Sequence, residues 1–492
     1  MEPWPELEQV LRALAAAGTV EVREDGRWFA TLADGQWEVR AQKDRVLVHI
    51  WSDKGNLVRR VLRVAENTPE RIELEVQRFG QSKPGRLEFL RADLERPERQ
   101  VSREEFLSRF RELLTEHFPD ENLESLSIAQ DLEHSLSSCY ARGVLRSGLQ
   151  SCAVVGVSSA ESAETQENLL VAGLLWLDRV RGRARKQTVS GLRLFLPKGA
   201  SRATLHRLGA LEPSTRIEVF EADCPSGSVE RIPASDTGNL QTWLVPRREL
   251  ESLLDRARAD LAPLCALAPE SIAAGVVPGT RDVALRFRGI EFARWEDGRV
   301  SFGLADHFEQ LTPEKRPALQ ALVRKLQVYR NSLASDLHHP LYRAQPERWL
   351  ETLVQEDVTR VDARLDPRHL YTQVPALSAG DRGVLDLLGV TRDGRLAVIE
   401  LKASEDPQGL LQAADYWLRV RWHQQQDDFH RYGYFPGVAL QANPPLLYLV
   451  APGLRFHPAT DVLRKFLARD IAITRVGLAE NWRSGLRVIF RQ

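Results

Sequence analysis

The chain has 492 residues, 43% of them hydrophobic, which is enough for about two to four domains with real cores and argues against wholesale disorder. Lys and Arg total 67 against 68 Asp and Glu, so net charge neither favours nor excludes a polyanionic partner, and any electrostatic footprint has to be local. The four cysteines (Cys139, Cys152, Cys224 and Cys265) are scattered with no CxxC pair, against both a zinc site and a disulfide framework. The opening "MEPWPELEQVLRALAAAG" is acidic and lacks the basic start of a signal peptide. No apolar run reaches the roughly 18 residues of a membrane span. A soluble, cytoplasmic protein with no membrane contact is expected.

Residues 1–120 read as a mostly-β module that ends in a helix. "RVLVHIWSDKGNLVRRVLRV" reads as a hairpin turning near Gly55-Asn56, and "RIELEVQRFGQSKPGRLEFL" as another turning near Pro84-Gly85. "SREEFLSRFRELLTEHF" opens with Ser102 and Glu105 at capping-box spacing and continues with helical periodicity. Residues 121–245 read as an α/β domain: a helix over 126–146, strands at "CAVVGV", "LLVAGLLWLD" and "GLRLFLP", a helix over 201–211 and a strand at "RIEVFEA". The Ser- and Glu-rich residues 158–167 read as a surface loop. Residues 246–340 form a connector, with helices over 247–261 and 313–335 around the hairpin sequence "VALRFRGIEFARWEDGRVSFGL". The last module spans 341–492.

Within it, "GVLDLLGVTRDGRLAVIELKAS", residues 383–404, carries charges in a run that is otherwise apolar. Its turn is Arg392-Asp393-Gly394. A two-residue Asp-Gly turn would set Asp386 against Leu401. A three-residue loop with Gly394 left-handed would set Asp386 against Glu400, Leu388 against Val398 and Val390 against Leu396. Only the second register gathers Asp386, Glu400 and Lys402 at one end of one face, leaving Leu385, Leu387, Ile399 and Leu401 on the other. Two carboxylates directly opposite, with Cβ atoms roughly 4.5–5.5 Å apart, repel. A divalent cation turns that repulsion into coordination, and hard Mg²⁺ prefers such oxygens. Lys402 emerges on the same side, where an ammonium orients water or stabilises phosphoryl charge. The pattern suits metal-assisted phosphodiester hydrolysis. The bland alternative is a strand end with an ordinary Glu/Lys pair.

Downstream, "DPQGLLQAADYWLRVRWHQQQ" reads as a helix with Gln412 and Tyr416 one turn apart on one face and Arg419 close by. Asp386, the "IELK" of 399–402 and the QxxxY pair Gln412 and Tyr416 together resemble the PD-(D/E)XK nuclease superfamily, closest to its RecB-type branch and to the NucS/EndoMS mismatch endonucleases. The resemblance covers roughly 341–480. It implies a restriction-endonuclease-like α/β core, with Asp386 and Glu400 holding Mg²⁺ (or Mn²⁺), Lys402 serving the chemistry, and Gln412 and Tyr416 positioning metal, water or DNA. It also implies a helix glutamate. "ERWLETLV" supplies Glu347, with Glu351 as the alternative. The superfamily's proline is absent, Leu385 preceding Asp386, a departure many members share.

The middle of the chain echoes the end. "LRLFLPKGASRATLHRLGALEPSTRIEVFEA" and "LLYLVAPGLRFHPATDVLRKFLARDIAITRVG" both run strand, proline, glycine, helix, strand. Setting "AVVGV" on "DLLGV" and "LLWLDRVR" near "VIELKAS" puts Ala153 at Asp386 and Trp176 at Glu400, with no counterpart for the helix of Gln412. Residues 121–245 are therefore read as a degenerate, metal-free copy of the nuclease-like domain, a generic α/β likeness being the competing account. "RVRGRARK" places Arg179, Arg181, Arg183, Arg185 and Lys186 in the densest basic run, which together with Arg419 is assigned to nucleic-acid contact; a solvated loop is the alternative. There is no P-loop and no HExxH. His457, just after the strand "LLYLVAP", is a weak further candidate for the site. The composite expectation is a multidomain α/β metal-dependent deoxyribonuclease of repair or defence type, with DNA as the favoured partner, RNA left open, and a homodimer compatible with the reading. A non-catalytic nucleic-acid-binding or scaffold protein is the runner-up.

Overall fold

Alternating apolar residues in the first hundred positions build an antiparallel sheet, in which Ile72, Leu74 and Val76 turn inward while their neighbours stay half-exposed. The computed structural model describes residues 4–492 apart from 18–19, 25–26, 33–36, 43–44, 53–54, 70, 78–83, 132, 185–187, 234–241, 305–306 and 379–380. Helix α1 (Trp4–Ala17) is followed by strands β1 (Val20–Glu24), β2 (Arg27–Leu32), β3 (Trp37–Gln42), β4 (Arg45–Ser52), β5 (Gly55–Asn67), β6 (Arg71–Gln77) and β7 (Gly85–Arg91), in the order β2-β1-β7-β6-β5-β4-β3. Leu7, Leu11 and Leu14 of α1 join its core. Gly55 and Asn56 are strand residues facing Ser52 and Trp51, and Gly85 faces Val76, so the two expected turns lie on residues outside the described set.

Helix α2 (Ala92–His117) begins well before Ser102. Then come β8 (Asn122–Ser127), β9 (Tyr140–Ser147), β10 (Gln150–Val157), α3 (Ala163–Glu167), α4 (Leu169–Arg183), β11 (Thr188–Leu196), α5 (Arg202–Leu208), β12 (Ile217–Asp223) and β13 (Ser228–Ile232). Two sequence expectations fail here. The helix read over 126–146 is instead the end of β8, a connection tied by the Asp131–Leu136 bridge, and most of β9. The strand read at "LLVAGLLWLD" is helix α4, buried nearly all round its first three turns, so it shows no polar face from which a helical period could be read.

Strand β14 (Thr242–Trp243) precedes α6 (Arg247–Cys265), a five-stranded antiparallel sheet of β15 (Ile272–Val276), β16 (Val283–Phe287), β17 (Ile290–Glu296), β18 (Arg299–Leu304) and β19 (His307–Gln310), and helices α7 (Arg316–Tyr329), α8 (Pro340–Arg343) and α9 (Pro346–Glu356). The last segment holds β20 (Leu365–Ser378), β21 (Asp381–Thr391), β22 (Leu396–Leu401), α10 (Gly409–Gln425), α11 (Asp428–Arg431), β23 (Leu446–Pro452), α12 (Ala459–Arg464), β24 (Ala472–Leu478) and β25 (Val488–Arg491). The chain divides into two compact units, each discontinuous in sequence: Met1–Glu98, Pro246–Glu356 and Asn481–Leu486 in one, Arg99–Val245, Asp357–Glu480 and Arg487–Gln492 in the other.

The second unit contains two sheets of one plan. β8 to β13 and β20 to β25 each lie in simple chain order, and the second sheet carries β14 as a seventh, antiparallel strand beside β20. In each the first three strands are antiparallel, the next two are added parallel, and the last is antiparallel. Each parallel step crosses over through a helix: α4 and α5 in the first sheet, α10 and α12 in the second. These helices share one apolar core, α12 packing on α4 and α5 on α10.

A buried charge cluster sits at the α5–α10 contact. His206 ion-pairs with Asp415, whose carboxylate also lies 3.2 Å from the Arg419 guanidinium and 4.0 Å from that of Arg207. Burial alone would raise the Asp415 pKa, but the hydrogen bond from His206 and the charges of His206, Arg419 and Arg207 outweigh it and hold the carboxyl at about 2. Because this lies below the unfolded value near 3.9, the contribution is complete above that pH and fades as pH falls towards 2. Asp415→Asn should destabilise the fold by about 3–5 kcal/mol at pH 7, the deficit shrinking below pH 4, as read from urea midpoints across that range.

The β21–β22 turn follows the three-residue register. Leu387 faces Ile399, Leu388 faces Val398 and Val390 faces Leu396. Thr391 N–H donates to Arg395 O and Gly394 N–H to Thr391 O, both at 2.8 Å, with Gly394 at φ +92°. A Cβ there would stand 2.1 Å from the Ala439 carbonyl oxygen. Gly394→Ala should therefore lower stability by about 2–4 kcal/mol. An unchanged unfolding midpoint would show that the turn rearranges freely.

Candidate functional site

Asp386 and Glu400 come one step beyond the last ladder pair, Leu387–Ile399, at the open end of the hairpin. There the Leu401 backbone N–H donates to Asp386 Oδ2 at 3.0 Å, which pins the half-buried aspartate beside the Glu400–Leu401 peptide. Glu400 itself is 1% exposed. Lys402 prolongs β22, its N–H donating to Val450 O at 2.9 Å, and its ammonium turns back to lie 3.1 Å from Glu400 Oε1. The same Nζ donates to Gln412 Oε1 at 2.8 Å and lies 3.5 Å from Asp406 Oδ2. Gln412 Nε2 in turn donates to the Tyr416 hydroxyl at 3.4 Å. Burial, followed by the negative charges of Glu400 and Asp386, pushes the Tyr416 phenol up, so the helix tyrosine lies within electrostatic reach of both strand carboxylates. Strand, strand and helix thus bring five side chains to one place.

The start of α10 is shaped to admit the lysine. Asp406 accepts the Gln408 N–H at 2.8 Å, and Gly409 opens the helix. A Cβ on Gly409 would lie 3.2 Å from Lys402 Cε and 3.4 Å from its Cγ, so the lysine stem crosses over the glycine. His457 is half-buried near the same loop; burial lowers its pKa, partly offset by the charges of Glu405 and Asp406.

No family model matches the chain, and no curated protein matches it.

Other expected site residues fare differently. Glu347 and Glu351 lie on α9, in the other compact unit, where Glu351 pairs with Arg348 at 2.8 Å and its charge acts on Arg286. Arg419 is not a surface contact: it is 4% exposed and paired with Asp415. "RVRGRARK" is not a loop between strands but begins as the last turn of α4. Arg179 is partly buried, bonded to His134 and 3.7 Å from Asp131. Arg181 and Arg183 are exposed at the helix end, where cations suit the dipole, and Arg181 also sits over the Phe466 ring. Arg185 and Lys186 lie outside the described residues. Among the described residues Asp131, Glu133 and His134 also gather at ligand spacing, a cluster that sequence reading missed. Arg179 supplies the positive charge there.

The donor set at Asp386 and Glu400 fits a hard divalent cation. Mg²⁺ is usually held through one or two carboxylates, with waters and substrate phosphate oxygens completing the octahedron. Gln412 Oε1 adds a neutral oxygen 2.8 Å from the Lys402 ammonium. Gly409→Ala tests the placement of Lys402. It should leave the fold intact, since alanine is the better helix former by about 1 kcal/mol. On the catalytic reading proposed below, it should also cut turnover by about 10- to 100-fold as the ammonium is displaced by a few tenths of an ångström or more. The check is single-turnover kinetics beside a thermal melt; an unaltered rate would show that Lys402 tolerates the shift.

Proposed function

We propose that the protein is a metal-dependent nuclease that hydrolyses phosphodiester bonds in DNA, of repair or defence type. One observation carries this reading: two carboxylates on neighbouring strands and one ammonium converge at the same end of a sheet face, with a glutamine and a tyrosine from a single helix closing the group. Asp386 and Glu400 would hold Mg²⁺ or Mn²⁺, which supplies Lewis acidity toward a phosphate oxygen and acidifies water. Lys402 is already oriented by three acceptors. With substrate bound, its ammonium would hold the attacking water or meet charge that builds on the phosphoryl oxygens. Gln412 fixes the ammonium from the helix side. Tyr416, kept protonated by burial and by the two carboxylates, remains a hydrogen-bond donor at any ordinary pH. Asp386 keeps its geometry through the Leu401 amide, so the strand itself sets the spacing of the carboxylates.

Asp386→Ala should abolish cleavage, and Lys402→Ala should reduce it by about 10²–10³-fold or more while DNA affinity is kept, because one charge is a small part of a phosphate-contacting surface. The assay uses single-stranded, duplex, flap and mismatched DNA, with RNA alongside, in Mg²⁺ and in Mn²⁺. Wild-type cleavage by Asp386→Ala would rule out the site. Binding with no cleavage by the wild-type chain would favour the non-catalytic nucleic-acid-binding or scaffold reading.

A further inference from the structure

The two like sheets of the second unit can be aligned residue by residue. Pro197 just after β11 matches Pro452 at the end of β23, and Ala203-Thr204 of α5 matches Ala459-Thr460 of α12, both threonines buried. The loops that follow meet each other. Leu211 bridges Leu467, Glu212 N–H donates to Phe466 O, and Ala468 N–H donates to Ala210 O. Each donor and acceptor is answered by its own counterpart, and α4–α12 is answered by α10–α5. That reciprocity is the signature of a two-fold interface, here closed within one chain. Helix α4 also reveals its partner: "LLVAGLLWL" at 169–177 and "LLQAADYWL" at 410–418 share both leading leucines, the alanine and the closing Trp-Leu. The sequence-based pairing of Ala153 with Asp386 and Trp176 with Glu400 is thereby corrected. Trp176 matches Trp417, and Gln412 does have a counterpart.

Strand register completes the alignment. Glu400 faces Leu449, which faces Arg475. The matching row runs Val155, Leu194, Val219, with Arg142 opposite Val155 where Asp386 stands opposite Glu400. The five site positions of the β22 sheet are therefore Arg142 for Asp386, Val155 for Glu400, Val157 for Lys402, Val171 for Gln412 and Leu175 for Tyr416. All five are buried. Arg142 donates to the carbonyls of Ser137 and Ala129 and faces no carboxylate across the strands. Apolar side chains fill the rest. A divalent cation would meet a guanidinium and hydrocarbon there.

We infer that each chain joins one cutting centre to one metal-free counterpart in a pseudo-two-fold pair, so that a duplex is cut on one strand per encounter and the first product is a nick. This rests on the proposed nuclease function. Hydrolysis at the single centre adds water across one P–O bond, leaving a phosphate and a hydroxyl at the break, and the other strand stays intact because the matching positions of the β8–β13 sheet hold no carboxylate pair.

The test is a time course of the full chain, at limiting concentration, on supercoiled plasmid with Mg²⁺, beside Mn²⁺ binding by calorimetry. Open-circular DNA should accumulate to most of the input before linear DNA appears. Mn²⁺ binding should be lost in an Asp386→Ala/Glu400→Gln double variant. Linear product rising together with open circles from the first time points overturns single-strand cutting while leaving the nuclease reading intact. Wild-type Mn²⁺ affinity in the double variant overturns the metal-free counterpart. No cleavage of plasmid or of any other nucleic acid by the wild-type chain overturns the nuclease function and this inference with it.

Discussion

A carboxylate with 1% of its surface exposed needs a cation close by, and Glu400 is such a carboxylate. Lys402 answers it from two residues away, on the same face of the same strand, at 3.1 Å. The rest of the local structure serves that pair. The ammonium needs further acceptors, which Gln412 and Asp406 provide, so α10 has to begin close to the strand end. The lysine stem needs room, which Gly409 leaves open. Asp386 needs to arrive opposite Glu400 rather than Leu401. That is decided at the other end of the hairpin, by a three-residue turn whose Gly394 alone accepts both the positive φ and the nearby Ala439 carbonyl.

The β8–β13 sheet is an internal comparison for this arrangement. Its six strands repeat the order and directions of β20 to β25, with crossover helices at the same steps, and it contributes to the same core. At the equivalent positions it carries valines, a leucine and an arginine satisfied by backbone carbonyls. The architecture therefore closes without a buried glutamate, lysine or glutamine. Polar groups kept in one sheet, where the other of like plan shows that hydrocarbon serves the fold, support a chemical role rather than a structural one. The burial of Asp415 among His206, Arg207 and Arg419 is a different matter. It joins helices that belong to the two sheets, and its charge balance is part of what holds them together.

Legibility in the sequence followed the strength of the local signal. Hairpin register was readable because a one-residue slip would have scattered the three charges over both faces and along the strands. Gln412 and Tyr416 were readable because their helix carries polar residues at a one-turn spacing. Helix α4 was not: apolar on nearly every side, it looks like a buried strand until its neighbours are known. That single misreading misaligned the two halves and hid the match of Trp176 with Trp417. The fate of the arginines was hidden for a related reason. Arg419 and Arg179 look like surface charge in a linear chain, and only packing shows that Asp415 and the Asp131–His134 loop take them up.

What the sequence by itself determined is local. The turn chemistry at Gly394, the period-two placement of Glu400 and Lys402, and the one-turn spacing on α10 depend on backbone geometry that neighbouring residues dictate, so they survive without knowledge of the fold. What only the tertiary structure decided is long-range: that a strand pair and a helix meet at Lys402, that two distant segments of the chain fold on one plan, and that they dock reciprocally through Leu211 and Leu467. Contacts of that kind depend on which apolar faces find each other once the chain collapses. The hydrophobic effect that drives them is non-directional and leaves no positional mark in the linear sequence.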